Sequence, residues 1–256
     1  MQEKIKLVSG WSNPGGSTIH HINLTNLLNA NGYDCTFYGP HDWHLDKCKS
    51  GKINECSLTV HDIVISHFIQ VTVKNIRKHI LSCHESNLFP LKDIPHEHYD
   101  VIQFVSNRQK QYHSVNHPSV IIPPMVEKFN WVSPRANRAG VVGSIDPHKQ
   151  THLSIQNALE DGYDEVYLFG KITDTEYFKK YVEPLLSSKV IIKDHYDNKE
   201  QMYGLVDAVY NNSKFETYGL VEAECTLNRI PFGGISNKPE ILSNEEILKR
   251  WSAILQ

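Results

Sequence analysis

The sequence predicts an α/β protein built from two Rossmann-like domains with parallel sheets. Three observations carry that expectation. The chain opens with a short apolar strand, a Gly-rich crossing, an amphipathic helix and a second strand, which is the βαβ opening of a doubly wound sheet. The same alternation restarts near Gly140, after the Pro-rich, polar and basic stretch VEKFNWVSPRANRAG. The chain has 256 residues, 40% of them hydrophobic, enough for two cores in domains of roughly 125 residues each. The expected division is residues 1–124 and 125–256.

Composition narrows the class further. A net charge of -3 argues against general polyanion binding and leaves only local basic patches. No run approaches the roughly 18 consecutive apolar residues of a membrane span. The N-terminal MQEKIKLVSG runs directly into a strand rather than a secretion signal. The five cysteines (Cys35, Cys48, Cys56, Cys83, Cys225) form no CxxC and leave one unpaired, which suits a reduced, cytoplasmic setting.

In the first half, Lys4 to Gly10 reads as a strand carrying Ile5, Leu7 and Val8. It breaks into WSNPGGST, where Gly15 and Gly16 let backbone approach a ligand that side chains would block. A helix from about Thr18 carries Ile19, Ile22, Leu24, Leu27 and Leu28, Asn31-Gly32 caps it, and Tyr33 to Tyr38 is the next strand. The crossing is not GxGxxG, and no acidic residue ends the second strand where a nicotinamide cofactor's ribose would need one. His41 to Cys56 reads as a loop with a short helix, and HDIVISHF and KHILSC as buried strands. His84-Glu85 follows the second of these, at a strand's C-terminal end, where open α/β sheets place ligands; a loop histidine paired with Glu85 is the simpler expectation. YDVIQFVS is a further strand, Asn107 to His113 a polar helix, and HPSVIIPP a last strand stopped by Pro123-Pro124.

In the second half, GVVG ends a strand, SIDPHKQ is a loop and Thr151 to Leu159 a helix. Strands follow at Glu165 to Phe169 and Val190 to Lys193, then a helix around Glu200 to Leu205 and the strand VDAVYNN. The most informative stretch comes next, KFETYGLVEAECTLNRIP: a tight loop with Glu216, then Tyr218, Gly219 and Leu220 opening a helix whose Leu220, Ala223 and Leu227 recur at helical spacing. Free amides near Gly219 and the helix dipole make an anion site, and Glu224 lies one turn on at the edge of the buried face. PEILSNEEILKRWSAIL is a terminal helix.

The frame E-T-Y-G-L-V-E-A-E-C resembles the donor-site signature of retaining GT-B glycosyltransferases, in particular the glycosyltransferase family 4-like group that includes glycogen synthase-like and sucrose synthase-like enzymes. That group usually reads E-G-F-G-L-x-x-x-E-A, so Thr217 replaces a glycine and Cys225 an alanine. The opening GGSTIHHINLTNLLNANGYDCTFYGP is similar to the same group's strand, GG loop and helix. The resemblance implies a GT-B fold, with the two parallel sheets facing across a cleft, an N-terminal acceptor domain, a C-terminal nucleotide-sugar domain, and a last helix crossing back to the first domain. It implies transfer of a hexosyl or pentosyl unit from a UDP- or GDP-sugar to a hydroxyl, without cofactor or metal. Glu216 would then hold sugar hydroxyls, Glu224 the ribose, and His84 would approach the donor sugar. Lys149 would neutralise the diphosphate; Ser144 stands where the group has an arginine, which leaves Lys171 or another cation to substitute. Members of that group normally run well beyond this length, so the resemblance implies a trimmed version, and the compact build resembles small virus-encoded glycosyltransferases, some of which act on hydroxymethylated bases of their own DNA. For that acceptor, NRQKQYH and RANRAG are the local basic pieces. Other acceptors are a glycan or a small molecule.

Sugar transfer needs negative charge stabilised on the departing diphosphate and positive charge on the anomeric carbon. The spacing of Glu216 and Glu224 along a loop and helix does not suggest the facing carboxylates of a hydrolase. No two aspartates lie two apart, so a D-x-D metal motif is missing from the chain. Of fifteen histidines, His113/His117, His41/His44 and the pair His20-His21 have suggestive spacing, but none has an HExxH frame or a cysteine at zinc spacing. Solvated or capping histidines are the expectation, with acceptor contact by the helix carrying His20 and His21 as a further option. Two other classes stay open: a nucleotide-sugar epimerase or other Rossmann oxidoreductase, which predicts a dinucleotide bound at the first loop and a catalytic Tyr-x-x-x-Lys pair, and an inactive sugar-nucleotide-binding module.

Overall fold

The structure, a computed structural model, describes residues 4–12, 15–71, 75–85, 98–193, 196 and 198–256. It divides into two units, Met1–Met125 with Glu240–Gln256, and Val126–Pro239.

The first unit opens with β1 (Lys4–Ser9), α1 (Gly16–Ala30), β2 (Asp34–Gly39) and β3 (Ser50–Lys52). It continues with β4 (Ile63–His67), β5 (Lys78–Cys83), β6 (Val101–Phe104), α2 (Asn107–His113) and β7 (Ser119–Ile121). The strands pair in parallel in the order β3-β2-β1-β4-β5-β6-β7. All of β4 and all of β5 but its first residue are buried, as strands covered on both faces must be, which is why they read as unbroken apolar runs. Strand β2 alternates, burying Cys35 and Phe37. Strand β3 was not expected. Three polar or small residues, SGK, carry no hydrophobic pattern and are held as an edge strand by main-chain pairing of Ser50 with Phe37.

The second unit comprises β8 (Arg138–Val142), α3 (Thr151–Glu160), β9 (Glu165–Phe169) and α4 (Thr175–Tyr177), which runs on as helical turns to Leu185. Then come β10 (Val190–Lys193), α5 (Lys199–Tyr203), β11 (Ala208–Asn211), α6 (Leu220–Asn228) and β12 (Phe232–Gly234). Its parallel order is β10-β9-β8-β11-β12. The stretch read as a linker is a strap on this unit. Phe129 stacks on Tyr203 with centroids 5.4 Å apart, Trp131 Nε1 donates to the Tyr203 carbonyl at 3.0 Å, and the Asp207 carboxylate accepts from the backbone of Arg135, Ala136 and Arg138. Aromatic burial and a carboxylate anchor explain why a basic, Pro-containing segment is ordered.

The terminal helix α7 (Asn244–Leu255) begins five residues later than the sequence suggests. Ser243 and Glu246 form a capping box that fixes the start. Its Ile247, Trp251 and Leu255, spaced i, i+4, i+8, join the first unit's core with Leu7, Leu24, Leu28, Phe37, Ile63 and Ile80. Tyr33 donates to Ser252 at 2.8 Å, and Arg250 to the Ile121 carbonyl at 2.9 Å.

In both sheets the order of the parallel strands reverses at one seam, between β1 and β4 in the first and between β8 and β11 in the second. The strand ends at such a seam are where an open α/β sheet holds ligands.

Candidate functional site at the strand ends of the second unit

The loops leaving β8 and β11 carry the charges predicted from sequence. Asp146 builds the first loop: its Oδ1 accepts from the amides of His148 and Lys149, both at 2.9 Å, and its Oδ2 from the Ser144 hydroxyl at 2.5 Å and Thr173 at 3.3 Å. Burial acts to raise this carboxyl, and those four donors more than offset it, leaving it below the usual carboxylate range. The loop then enters α3 through Gln150 in a left-handed conformation. A close approach beneath it requires Gly170: a Cβ there would lie 1.9 Å from the Gly143 carbonyl oxygen.

Asn211 organises the second loop by accepting from the Ser213 amide and hydroxyl at 2.8 and 2.6 Å. The Lys214 amide donates to the His148 carbonyl at 2.9 Å, tying the two loops together. Across that tie Lys149 Nζ meets Glu216 Oε1 at 2.5 Å, with Asn211 Nδ2 at 3.4 Å. Burial again acts to raise the Glu216 carboxyl, and the Lys149 charge with hydrogen bonds from Lys149, Ser213 and Asn211 holds it below the ordinary range. Residues 67 apart in sequence thus form one buried-edge ion pair at the seam.

Gly219 is the N-cap of α6 at φ +90°, a left-handed conformation that favours glycine, and a Cβ there would meet Asn237 at 3.2 Å. Tyr218 is buried and Leu220 half-buried. The expected Leu220–Ala223–Leu227 stripe is not the buried face: Glu222, Ala223, Glu224, Cys225 and Asn228 are, while Leu227 is half-buried. Acidic residues occupy the interior because each has partners. Glu222 accepts from Ser236 and from the amides of Asn237 and Lys238. Glu224, 3% exposed, is bound by Lys199 on one oxygen and by the Tyr203 hydroxyl at 2.6 Å on the other. Sequence reading missed Lys199 and Tyr203, which lie a helix and a strand earlier.

Lys171 is exposed, its carbonyl accepting from the Ile145 amide, and Ser144 is committed to Asp146. A groove of about 690 Å³ runs beside the Lys149 loop, lined by Pro147, Gln150, His152, Tyr177, Lys180 and Lys214 among others. Its cations were not foreseen; the only sequence signal was Lys214 at the head of the Glu216 stretch.

In the first unit Gly15 is the N-cap of α1, extended at φ -168°, and Gly16 its first residue. His84 follows β5 as expected but is not paired with Glu85 through its ring. Glu85 Oε1 instead meets His67 Nε2 at 2.8 Å, and the His84 ring lies half-buried against His20, centroids 4.6 Å apart, with Nε2 3.1 Å from Ser82 Oγ. His20 and His21 are buried, not solvated or capping, because α1 turns them toward the sheet. His44 and His113 are buried too; His113 Nε2 meets the Glu85 carbonyl and His117 Nε2 the Tyr99 carbonyl. All five cysteines are free.

No protein-family profile matches the chain, and no curated protein matches it by sequence. Solved structures do match in shape. The crystal structure of TarM aligns with all of this chain and 92% of its own at a TM-score of 0.72 and 11% identity. Sucrose-phosphate synthase from Thermosynechococcus elongatus aligns with 99% of this chain and 90% of its own (TM-score 0.69, 14% identity). Anabaena HepE, solved in complex with UDP and glucose, aligns with 90% of this chain and 80% of its own (TM-score 0.65, 13% identity). No helix among the described residues is long and apolar enough to cross a membrane. Two separate parallel Rossmann-like sheets, matched over nearly the whole chain, give this protein the GT-B fold.

Proposed function

We propose that this protein is a retaining glycosyltransferase that moves a sugar from a nucleoside-diphosphate donor to a hydroxyl acceptor without a metal at the diphosphate. The observation that carries the reading is the Lys149–Glu216 pair at the β8–β11 seam. In this reading Lys149 neutralises charge developing on the leaving diphosphate, and Glu216, held ionised, accepts from sugar hydroxyls. Each keeps the other ordered until a donor arrives, so the pair is preorganised for a ligand that carries both phosphate and hydroxyl. The amides opening α6 beyond Gly219 and the exposed Lys214 and Lys171 add positive potential, in place of the arginine that Ser144 replaces. Gly15 and Gly16 open α1 in the same manner in the first unit. The proposed donor is a UDP- or GDP-sugar, in line with the UDP-glucose complex solved for HepE.

Glu224 is the proposed ribose acceptor; each of its oxygens already accepts once, from Lys199 and from Tyr203, so the ribose would share an oxygen with one of them or displace it. For His84 the reading is one ring nitrogen directed at a donor-sugar hydroxyl. The proton of the acceptor passes to the leaving phosphate oxygen, so no protein nucleophile is assigned. The acceptor is proposed as a hydroxyl-bearing glycan, small molecule or hydroxymethylated DNA base. Of the basic pieces considered for DNA, Arg138 is already paired with Glu165 at 2.7 Å, which leaves that patch weaker than its sequence suggests. The test is turnover of a panel of UDP- and GDP-sugars, with and without modified duplex, by wild type and by Lys149→Ala and Glu216→Ala. Turnover lost in both variants supports the reading. Unchanged rates in both variants remove the site, and cofactor absorbance with a bound dinucleotide would favour an oxidoreductase.

A further inference from the structure

At the β1–β4 seam of the first unit, four imidazoles converge: His20 and His21 from α1, His67 from the end of β4 and His84 from just beyond β5. Ring centroids of His20 and His84 are 4.6 Å apart, of His21 and His84 5.0 Å, and of His20 and His21 5.3 Å. One ring nitrogen from each of these three lies within 4.8 Å of the others. His67 is satisfied separately, between Ser9 Oγ and Glu85 Oε1, both at 2.8 Å.

The hydrogen bonds beneath the cluster fix the tautomers of two rings. Gln103 Nε2 donates to the Ile122 carbonyl at 2.7 Å, so its Oε1 faces Ser82, whose hydroxyl donates to it at 2.7 Å. With its one proton spent, Ser82 Oγ can only accept from His21 Nε2 at 3.3 Å and His84 Nε2 at 3.1 Å. Both rings therefore carry hydrogen on Nε2 and a lone pair on Nδ1. His21 Nδ1 is buried with no partner, and so are both nitrogens of His20, residues that are 0% and 2% exposed. Buried polar atoms are almost always satisfied, and orphans point to a group that belongs there. Burial first, and then neighbouring histidines, push His20 down to about 3 and hold His21 and His84 well below the ordinary imidazole range, so all three are neutral and ready to donate lone pairs. Orphaned ring nitrogens occur also at His41, His44 and His113, but among the described residues only His20, His21 and His84 bring three imidazole nitrogens within 4.8 Å of one another.

We propose that His20, His21 and His84 bind a divalent transition-metal ion of the zinc class through three neutral imidazoles, with a fourth position open to water or a substrate oxygen. Three imidazoles without carboxylate or thiolate suit zinc and its neighbours and not calcium or magnesium. A tetrahedral ion with bonds of about 2.1 Å sets its donors about 3.4 Å apart, so small ring rotations close the cluster onto it. The Ser82–Gln103 chain is the outer support that orients two of the ligands. The ion is additional to the donor chemistry proposed above. A nitrogen given to an ion is not available to a sugar, so a bound ion replaces the His84 imidazole contact with its own open position.

The test reads metal, not turnover, and so stands or falls apart from the transferase reading. Untagged protein is analysed for metal as purified, then stripped with chelator and titrated with Zn²⁺ and with Co²⁺, whose visible absorption reports nitrogen ligation directly. One equivalent of bound ion and a cobalt band are expected. His20→Gln and His84→Gln should weaken binding by at least about 10–100-fold, Ser82→Ala by a similar factor through lost orientation, and His117→Gln not at all. Native circular dichroism with neither bound ion nor cobalt band in the wild type would overturn the proposal. So would a band that survives unchanged in both ligand variants. The wild-type titration decides even where a variant fails to fold.

Discussion

The two sheets of this protein reverse at equivalent seams, and the chemistry set at each is opposite. Where β8 meets β11 the loops bring together a lysine and a glutamate, tied by main chain, with the glutamate held ionised. Where β1 meets β4 the same geometry collects buried neutral histidines around a serine. The sheet supplies a place, because strand ends at a reversal leave a crevice with free backbone groups whatever the sequence. The side chains decide what that place can hold. A charged pair at a half-buried rim suits a ligand with its own phosphate and hydroxyls, whereas clustered imidazoles, two of them with orphaned nitrogens, suit a cation. Fold and function thus separate in one molecule.

The contrast can be broken at several points. Trp251→Ala, which empties a fully buried site filled by α7, should cost the first unit about 3–5 kcal/mol and leave the second largely intact. Hydrogen exchange resolved by unit reads this directly, and equal loss in both would deny their independence. Lys149→Ala should lower kcat/KM for the donor by roughly 10²–10³-fold while Zn²⁺ titration stays unchanged. A coupled loss of metal would mean that the seams are not chemically distinct.

Acid should distinguish the units as well. His79, buried between Ser66 and the His98 carbonyl, is pushed down to about 4, chiefly by burial. Its folded pKa is depressed, so the stability it carries is present above about 6.5 and is lost as pH falls toward 4, on the order of 3 kcal/mol. The Glu216 carboxyl is depressed too, but its contribution fades only below the ordinary carboxylate range, about 4.3. Between pH 6.5 and 5 the first unit, which holds the lowered His20, His21, His79 and His84, should therefore lose more exchange protection than the second, whose His152 is also held down by burial. The reverse order would refute this sign. The smallest effect belongs to Gly219→Ala, about 1 kcal/mol of strain at a left-handed N-cap, with a modest rise in donor KM and no change in the first unit.

Much of the chain was legible beforehand where a local rule applied. Apolar runs marked β4 and β5 because buried parallel strands need both faces covered, and Glu216, Gly219 and Lys149 fell in loops because glycine and turn residues punctuate strand and helix. What failed lacked a local signal. Edge strand β3 has no side-chain pattern, and the apolar stripe expected on α6 gave way to Glu222 and Glu224, whose burial depends on Ser236, Lys199 and Tyr203.

The alternation of apolar strands and helices, the glycine crossings and the restart near Gly140 were determined by sequence alone, since they follow from short-range periodicity and backbone freedom. Pairing Lys149 with Glu216 across 67 residues, burying Glu224 under a lysine and gathering His20, His21 and His84 over one serine were decided only by the tertiary structure. Such contacts exist because parallel strands return distant loops to the same edge, and no spacing along the chain records which loops will meet there.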